Sequence, residues 1–128
     1  MKPKSIKTLK KELWETFALY MKKRYSEDGL HVKCYTCDVE MEIGTKNCQL
    51  GHWLPKKPFP YHYWNENNVR PQCFRCNQWM EGNSETFRRR LQAEIGVKKV
   101  DEMYASRMHK SPTRNESWYK AMIDKYKP

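Results

Sequence analysis

The chain has 128 residues, of which 38% are hydrophobic, and five cysteines. Lys and Arg number 25 against 15 Asp and Glu, a net charge of +10, and the mean hydropathy is −1.04. One modest domain fits this length. No apolar run approaches the roughly 18 residues that span a bilayer, and an odd cysteine count argues against a disulfide framework.

The charge is unevenly placed. Residues 1–33 carry nine basic and four acidic side chains, residues 34–83 five of each, and residues 84–128 eleven basic and six acidic. A neutral centre between two basic flanks suits a protein that holds a polyanion around a specialised core. The expected organisation is a single domain, 1–128: a basic N-terminal helix in 1–29, a cysteine-bearing core in 30–83 and basic C-terminal helices in 84–128. It reads as soluble and intracellular, without a membrane segment.

In chain order, Ile6, Leu9, Leu13, Phe17 and Tyr20 recur at spacings of three and four and predict an amphipathic helix to about Tyr25. "SEDG" (26–29) ends it, with Gly29 as a left-handed cap. "VEMEIG" (39–44) and "CQLGHWL" (48–54) are short strand candidates. "PKKPFP" (55–60) must be loop, since its three prolines propagate neither ladder nor helix. "YHYW" (61–64) has strong β propensity, and "NENN" (65–68) is turn-like. Helices are predicted from Cys73 to Gly82, from Ser84 to Ile95 with Gly96 closing it, and from Val100 to Met108. A last helix is predicted from Thr113, where Thr113 and Glu116 form a capping box. The fold class is therefore α+β.

Cys34-x-x-Cys37 and Cys73-x-x-Cys76 are two knuckles around a 35-residue excursion. Two such turns complete a tetrahedral S4 site for structural zinc, with no open position for a substrate. A redox pair would need only one such turn. The ion staples the two ends of residues 34–76, which helps so polar a chain to fold. Cys48 is left as a small buried residue. The excursion brings His52, His62, Asn67, Asn68 and Arg70 against the helix that follows Cys76. Two strands and a helix then form a ββα arrangement, and Asn77 in the first helical turn can offer its amide oxygen to a second, harder cation.

"GHWLPKK…YWNENNVRPQCFRCNQWMEGN" resembles an HNH nuclease motif, with His52, Asn68 and Asn77 in order. Together with "KTLKKELWETFALYMKKRYSEDG", "KCYTCD" and "FRRRLQAEIG", it is similar to the lambdoid phage NinG (Rap) recombination proteins, from about Lys4 to Gly96 and weakly beyond. The resemblance implies a zinc-stapled ββα-metal (HNH) core with flanking helices. It implies a metal-dependent DNA endonuclease acting on branched recombination intermediates, a Holliday junction or D-loop, in the cytoplasm of a phage-infected or prophage-carrying bacterium. By the same resemblance His52 is the general base, Asn68 holds the loop that aims it, and Asn77 is a ligand to Mg²⁺ or Mn²⁺. A homodimer is expected by analogy with enzymes that nick two strands.

Many HNH proteins place a second metal ligand just before the base, where this chain has Gly51. Gln49, His62 and Glu66 are the candidates to reach in instead. Arg70, Arg75, Arg88, Arg89 and Arg90 are candidate phosphate contacts. His31 and His109 read as surface residues, and Trp53, Trp64 and Trp79 as core rather than base-stacking platforms. Two alternatives stay open: a restriction or nicking HNH enzyme on duplex DNA, and a zinc-stapled DNA-binding module without chemistry.

Overall fold

A computed structural model describes residues 3–128. Helix α1, Ile6–Arg24, starts at Ser5, whose hydroxyl accepts from the Thr8 amide at 3.2 Å. It ends in Lys22, Lys23 and Arg24, at the negative end of the helix dipole. The expected stripe buries Leu9, Leu13 and Phe17 and adds Met21, whereas Ile6 and Tyr20 stay exposed. That stripe packs on β3 (Cys48–His52), β4 (Val69–Cys73) and α4 (Glu116–Tyr126) through Leu50, Val69, Tyr119, Ile123 and Tyr126. No helix among the described residues is long and apolar enough to cross a membrane.

The strands form two small antiparallel sheets. β1 (His31–Lys33) pairs with β2 (Glu40–Glu42), and β3 pairs with β4 with Cys48 opposite Cys73 and His52 opposite Val69. The first knuckle is the turn between β1 and β2, and the second follows β4. The partner of β3 is therefore "VRPQC", not the aromatic run 61–64, which forms a 3-10 turn over Pro60–His62. The aromatic rings there pack edge to face in neighbouring pairs, Tyr61 with His62 and Tyr63 with Trp64, and Trp64 also meets Phe17, Trp118 and Tyr119. Pro71 can sit inside β4 because its backbone faces away from β3. Its carbonyl accepts from the Tyr35 amide at 2.8 Å, and the missing N–H falls on a side with no ladder to complete.

The helix predicted from Cys73 to Gly82 is a single π turn, Arg75–Trp79. Glu81, Gly82 and Asn83 all take positive φ and end it at once. α2, Ser84–Ile95, matches its predicted bounds, and Gly96 closes it at φ 95°. α3 spans Val97–Ala105, three residues earlier than predicted. With α2 it encloses Trp53, Leu54, Phe87, Leu91, Val100 and Met103. α4 starts later than predicted: its cap is Asn115, whose side chain accepts from the Trp118 amide at 2.9 Å. Glu116 is then the first helical residue, too early to close a capping box with Thr113.

Candidate active site

The metal-ligating atoms of Cys34, Cys37, Cys73 and Cys76 all lie within 4.8 Å of one another. The Cys37 and Cys73 sulfurs are 3.7 Å apart, close to the ~3.8 Å that tetrahedral bonds of about 2.3 Å to zinc impose. The Cys76 amide points at the Cys73 sulfur at 3.4 Å, and the Thr36 hydroxyl lies 3.5 Å from that of Cys34. This set can hold one metal ion such as zinc. Cys48 is buried opposite Cys73 and stands outside the set.

β3 carries His52 to the edge of a cleft of about 1050 Å³, which Asn77 also lines. The ring of His52 stacks on Trp14 of α1, centroids 5.3 Å apart and planes 14° from parallel. Its Nε2 lies 3.0 Å from the Tyr63 carbonyl oxygen. A carbonyl only accepts, so Nε2 carries the proton and Nδ1 keeps its lone pair. Burial pushes the imidazole down to about 4, which keeps it neutral at pH 7. A neutral imidazole with one nitrogen anchored and the other free can accept a proton.

Asn68 is fully enclosed. Its Oδ1 accepts from the Leu54 amide at 2.8 Å, and its Nδ2 donates to the carbonyls of Leu54 (3.1 Å) and His62 (3.2 Å). These bonds pin both ends of the loop between β3 and β4, and the Tyr63 carbonyl that anchors His52 comes one residue after the second pin. Asn68→Ala would leave the buried Leu54 amide and carbonyl unpaired and take one of two donors from the His62 carbonyl. We expect a loss of about 2–4 kcal/mol in urea unfolding of the zinc-loaded protein; a loss within experimental error would mean the loop is held by other bonds.

Asn77 lies in the π turn, on the Gly51 side of β3. The Lys46 carbonyl accepts from Gln49 Nε2 at 3.1 Å, so the other end of that amide is Oε1, which accepts from Asn77 Nδ2 at 2.8 Å. Asn77 Oδ1 is thereby turned towards Gly51 and stands 3.0 Å from where a Cβ on that glycine would be. Gln72 Oε1 stands 1.7 Å from the same point. It is the buried side-chain oxygen or nitrogen that lacks any hydrogen-bond partner among the described residues, a condition that ordinarily costs about 1–3 kcal/mol.

Of the three residues considered for the missing ligand, Gln49 therefore touches Asn77 and orients it. His62 is buried elsewhere, against the Met103 carbonyl (3.1 Å) and the Ser106 hydroxyl (2.8 Å). Glu66 is engaged by Arg24 and by the Tyr126 hydroxyl, both at 2.7 Å. Neither reaches the cleft.

Of the candidate arginines, Arg70 needs correction. Arg70 is 1% exposed, lies between the rings of Tyr25 and Tyr35, and bonds Glu94 and the carbonyls of Glu66 and Val69. A guanidinium so enclosed holds the fold together and cannot meet a phosphate. Arg88 and Arg89 pair with Glu85, and Arg90 with Asp38 beside the first knuckle. Arg75 is exposed. The cleft itself is lined by Lys22, Lys46, Lys56 and Lys57, with Glu81 as its acidic residue. Sequence pattern gives little signal for these lysines: two sit in the proline-rich loop and one on the charged face of α1. Trp14 and Gln72 carry no signal at all. Trp53 is core and Trp64 is partly buried against the α1 core, as expected, but Trp79 is 80% exposed, two residues from Asn77.

A family model described as "Bacteriophage Lambda NinG protein" matches residues 42–128. Among curated proteins, "Protein ninG" of Escherichia phage lambda is 38% identical over 70 residues, 55% of this chain and 33% of that protein. The chain spans about a third of the length of that relative. No solved structure matches.

Proposed function

The chain belongs to the NinG family, and from that membership we propose that it is a metal-dependent DNA endonuclease of the HNH class, acting on branched recombination DNA. One observation carries the reading. An imidazole with Nε2 anchored and Nδ1 free opens on the same lysine-lined cleft as an oriented amide oxygen.

Each residue then has a role that its surroundings support. The lysines draw in the phosphate backbone. His52 Nδ1 takes the proton of the attacking water, while Trp14, the Tyr63 carbonyl and, through the loop, Asn68 keep the ring aimed. Asn77 would hold the cation. Its donor chemistry fits: a neutral amide oxygen is a hard ligand suited to Mg²⁺ or Mn²⁺, and a buried oxygen with no partner, that of Gln72, stands with Asn77 Oδ1 beside Gly51. When bound, the ion supplies positive charge to the phosphorane and to the departing 3′ oxygen. Trp79 offers an uncovered indole to an unpaired base at a branch point.

The test is cleavage of linear duplex, flap, three-way and four-way junctions with Mg²⁺, Mn²⁺ or EDTA. Metal-dependent cutting of branched forms is expected. Equal cutting of linear duplex would point to a restriction or nicking enzyme, and binding without cutting in any metal would reduce the protein to a DNA-binding module.

The lysines give a separate prediction. Lys56→Gln with Lys57→Gln should lower the slope of log Kd against log salt by about 0.9 for each phosphate no longer neutralised, so by ~1–2 for the pair. Neutralising Arg88 and Arg90, already paired with carboxylates, should change it less. An unchanged slope in the lysine variant would place the backbone elsewhere.

A further inference from the structure

We infer that Gln72 is the second protein ligand of the catalytic cation, reaching from β4 into the space that Gly51 leaves open. This rests on the nuclease reading of the cleft and supplies the ligand that position 51 lacks.

The orientation of the Gln72 amide is fixed by its nitrogen. Nε2 donates to the Gly82 carbonyl at 2.8 Å and to the Thr36 hydroxyl at 3.0 Å. The carbonyl cannot donate, so the amide cannot be turned over. Oε1 must face Gly51, and no protein donor meets it there among the described residues. Buried acceptors are nearly always satisfied, so one that is not points to a partner of another kind.

Gly51 and Gln72 fit each other. A Cβ at position 51 would stand 1.7 Å from Gln72 Oε1 and 2.7 Å from its Cδ. Any side chain there would displace the amide, so the glycine is required by close approach and not by backbone conformation. The oxygen arrives from the neighbouring strand at the place where a ligand on residue 51 would begin. Asn77 Oδ1, 3.0 Å from that same point, is the other oxygen at hand.

Two neutral amide oxygens make a hard site without charge of its own. Such a site suits Mg²⁺ or Mn²⁺, with water and a phosphate oxygen completing the shell, and disfavours zinc, which prefers sulfur and imidazole. Cation and DNA should therefore bind together more tightly than either alone.

The experiment measures Mn²⁺ binding, by loss of the free-ion electron spin resonance signal, to the full zinc-loaded chain carrying His52→Ala, with and without a four-way junction. Zinc content and circular dichroism report folding. In that background Gln72→Met should weaken Mn²⁺ binding at least about tenfold while one zinc is retained. Gly51→Ala, which pushes Oε1 aside and keeps the Gln72 chain, should weaken it similarly. Gln72→Ala combined with Gly51→Asp puts a carboxylate in the vacated space and should restore binding. Wild-type affinity in Gln72→Met overturns the inference. If that variant does not fold, Gly51→Ala decides by the same criterion. Weakening in the single variants without recovery in the double variant means the amide is structural, and also overturns it. Absence of Mn²⁺ binding in the parent, with or without DNA, sinks the metal-dependent reading itself, an outcome separate from failure of Gln72 alone.

Discussion

His52→Ala is expected to lower DNA cleavage by about 10²–10⁴-fold, the usual contribution of a positioned general base, with DNA affinity and zinc content unchanged. The ring lies at the cleft edge between Trp14 and Tyr63, away from the cysteine cluster, so removing it should leave the staple intact. Single-turnover cleavage of a junction, beside a binding isotherm on the same DNA, separates the two effects. A variant that cuts at the wild-type rate would refute the assignment of the base.

The same residue sets the pH dependence. Burial holds the imidazole near 4, below its ordinary 6.5, so it stays neutral well below neutrality. Cleavage should hold down to about pH 5 and fall only as pH approaches 4, whereas a solvent-exposed base would fail near 6.5. Stability follows by linkage. Between about 6.5 and 4 the unfolded chain binds a proton at this position that the folded chain does not, so stability falls as pH is lowered through that window. His52→Ala should remove that part of the slope. An acid limb centred at 6.5 in the wild type would mean that the ring is hydrated while cleavage proceeds.

Loss of the four-cysteine metal should have the largest effect on folding. Cys73→Ser, or a strong chelator, is expected to abolish the cooperative thermal transition, because binding of a structural metal contributes on the order of 10 kcal/mol to folding. A chain with 38% hydrophobic residues has little core to replace it. One buried cluster of this protein is built around the cysteines themselves, with Val32 and Met41 closing it. Loading must displace the protons of the cysteine thiols and should therefore weaken as pH falls. Cys48→Ala is the control, buried beside the set but outside it, and should retain one zinc per chain. Calorimetry with metal analysis checks both; a cooperative transition that survives in Cys73→Ser would show that the staple is dispensable.

Sequence carries the helices well because their signals are local. The 3.6-residue period of Leu9, Leu13 and Phe17, and the run from Ser84 to Gly96, each need only a few turns of chain to be read. β4 is not readable in this way. "VRPQC" is buried along its whole length, so it shows no alternation, and it contains a proline that is tolerated only because its backbone faces away from β3. The aromatic run 61–64 misleads for the opposite reason: strong β propensity is overridden by packing of Tyr63 and Trp64 on each other and against α1 and α4.

By itself, then, the sequence determined the α+β class, the two knuckles and their four sulfurs, and the order of His52, Asn68 and Asn77, because spacing along the chain and side-chain chemistry suffice for these. Only the tertiary structure decided which groups meet across it: Trp14 on His52, lysines from α1 and two loops around one cleft, Arg70 enclosed instead of exposed, and Gln72 over Gly51. Those contacts depend on register between strands and on packing between elements far apart in the chain, and neither leaves a periodic trace in the order of residues.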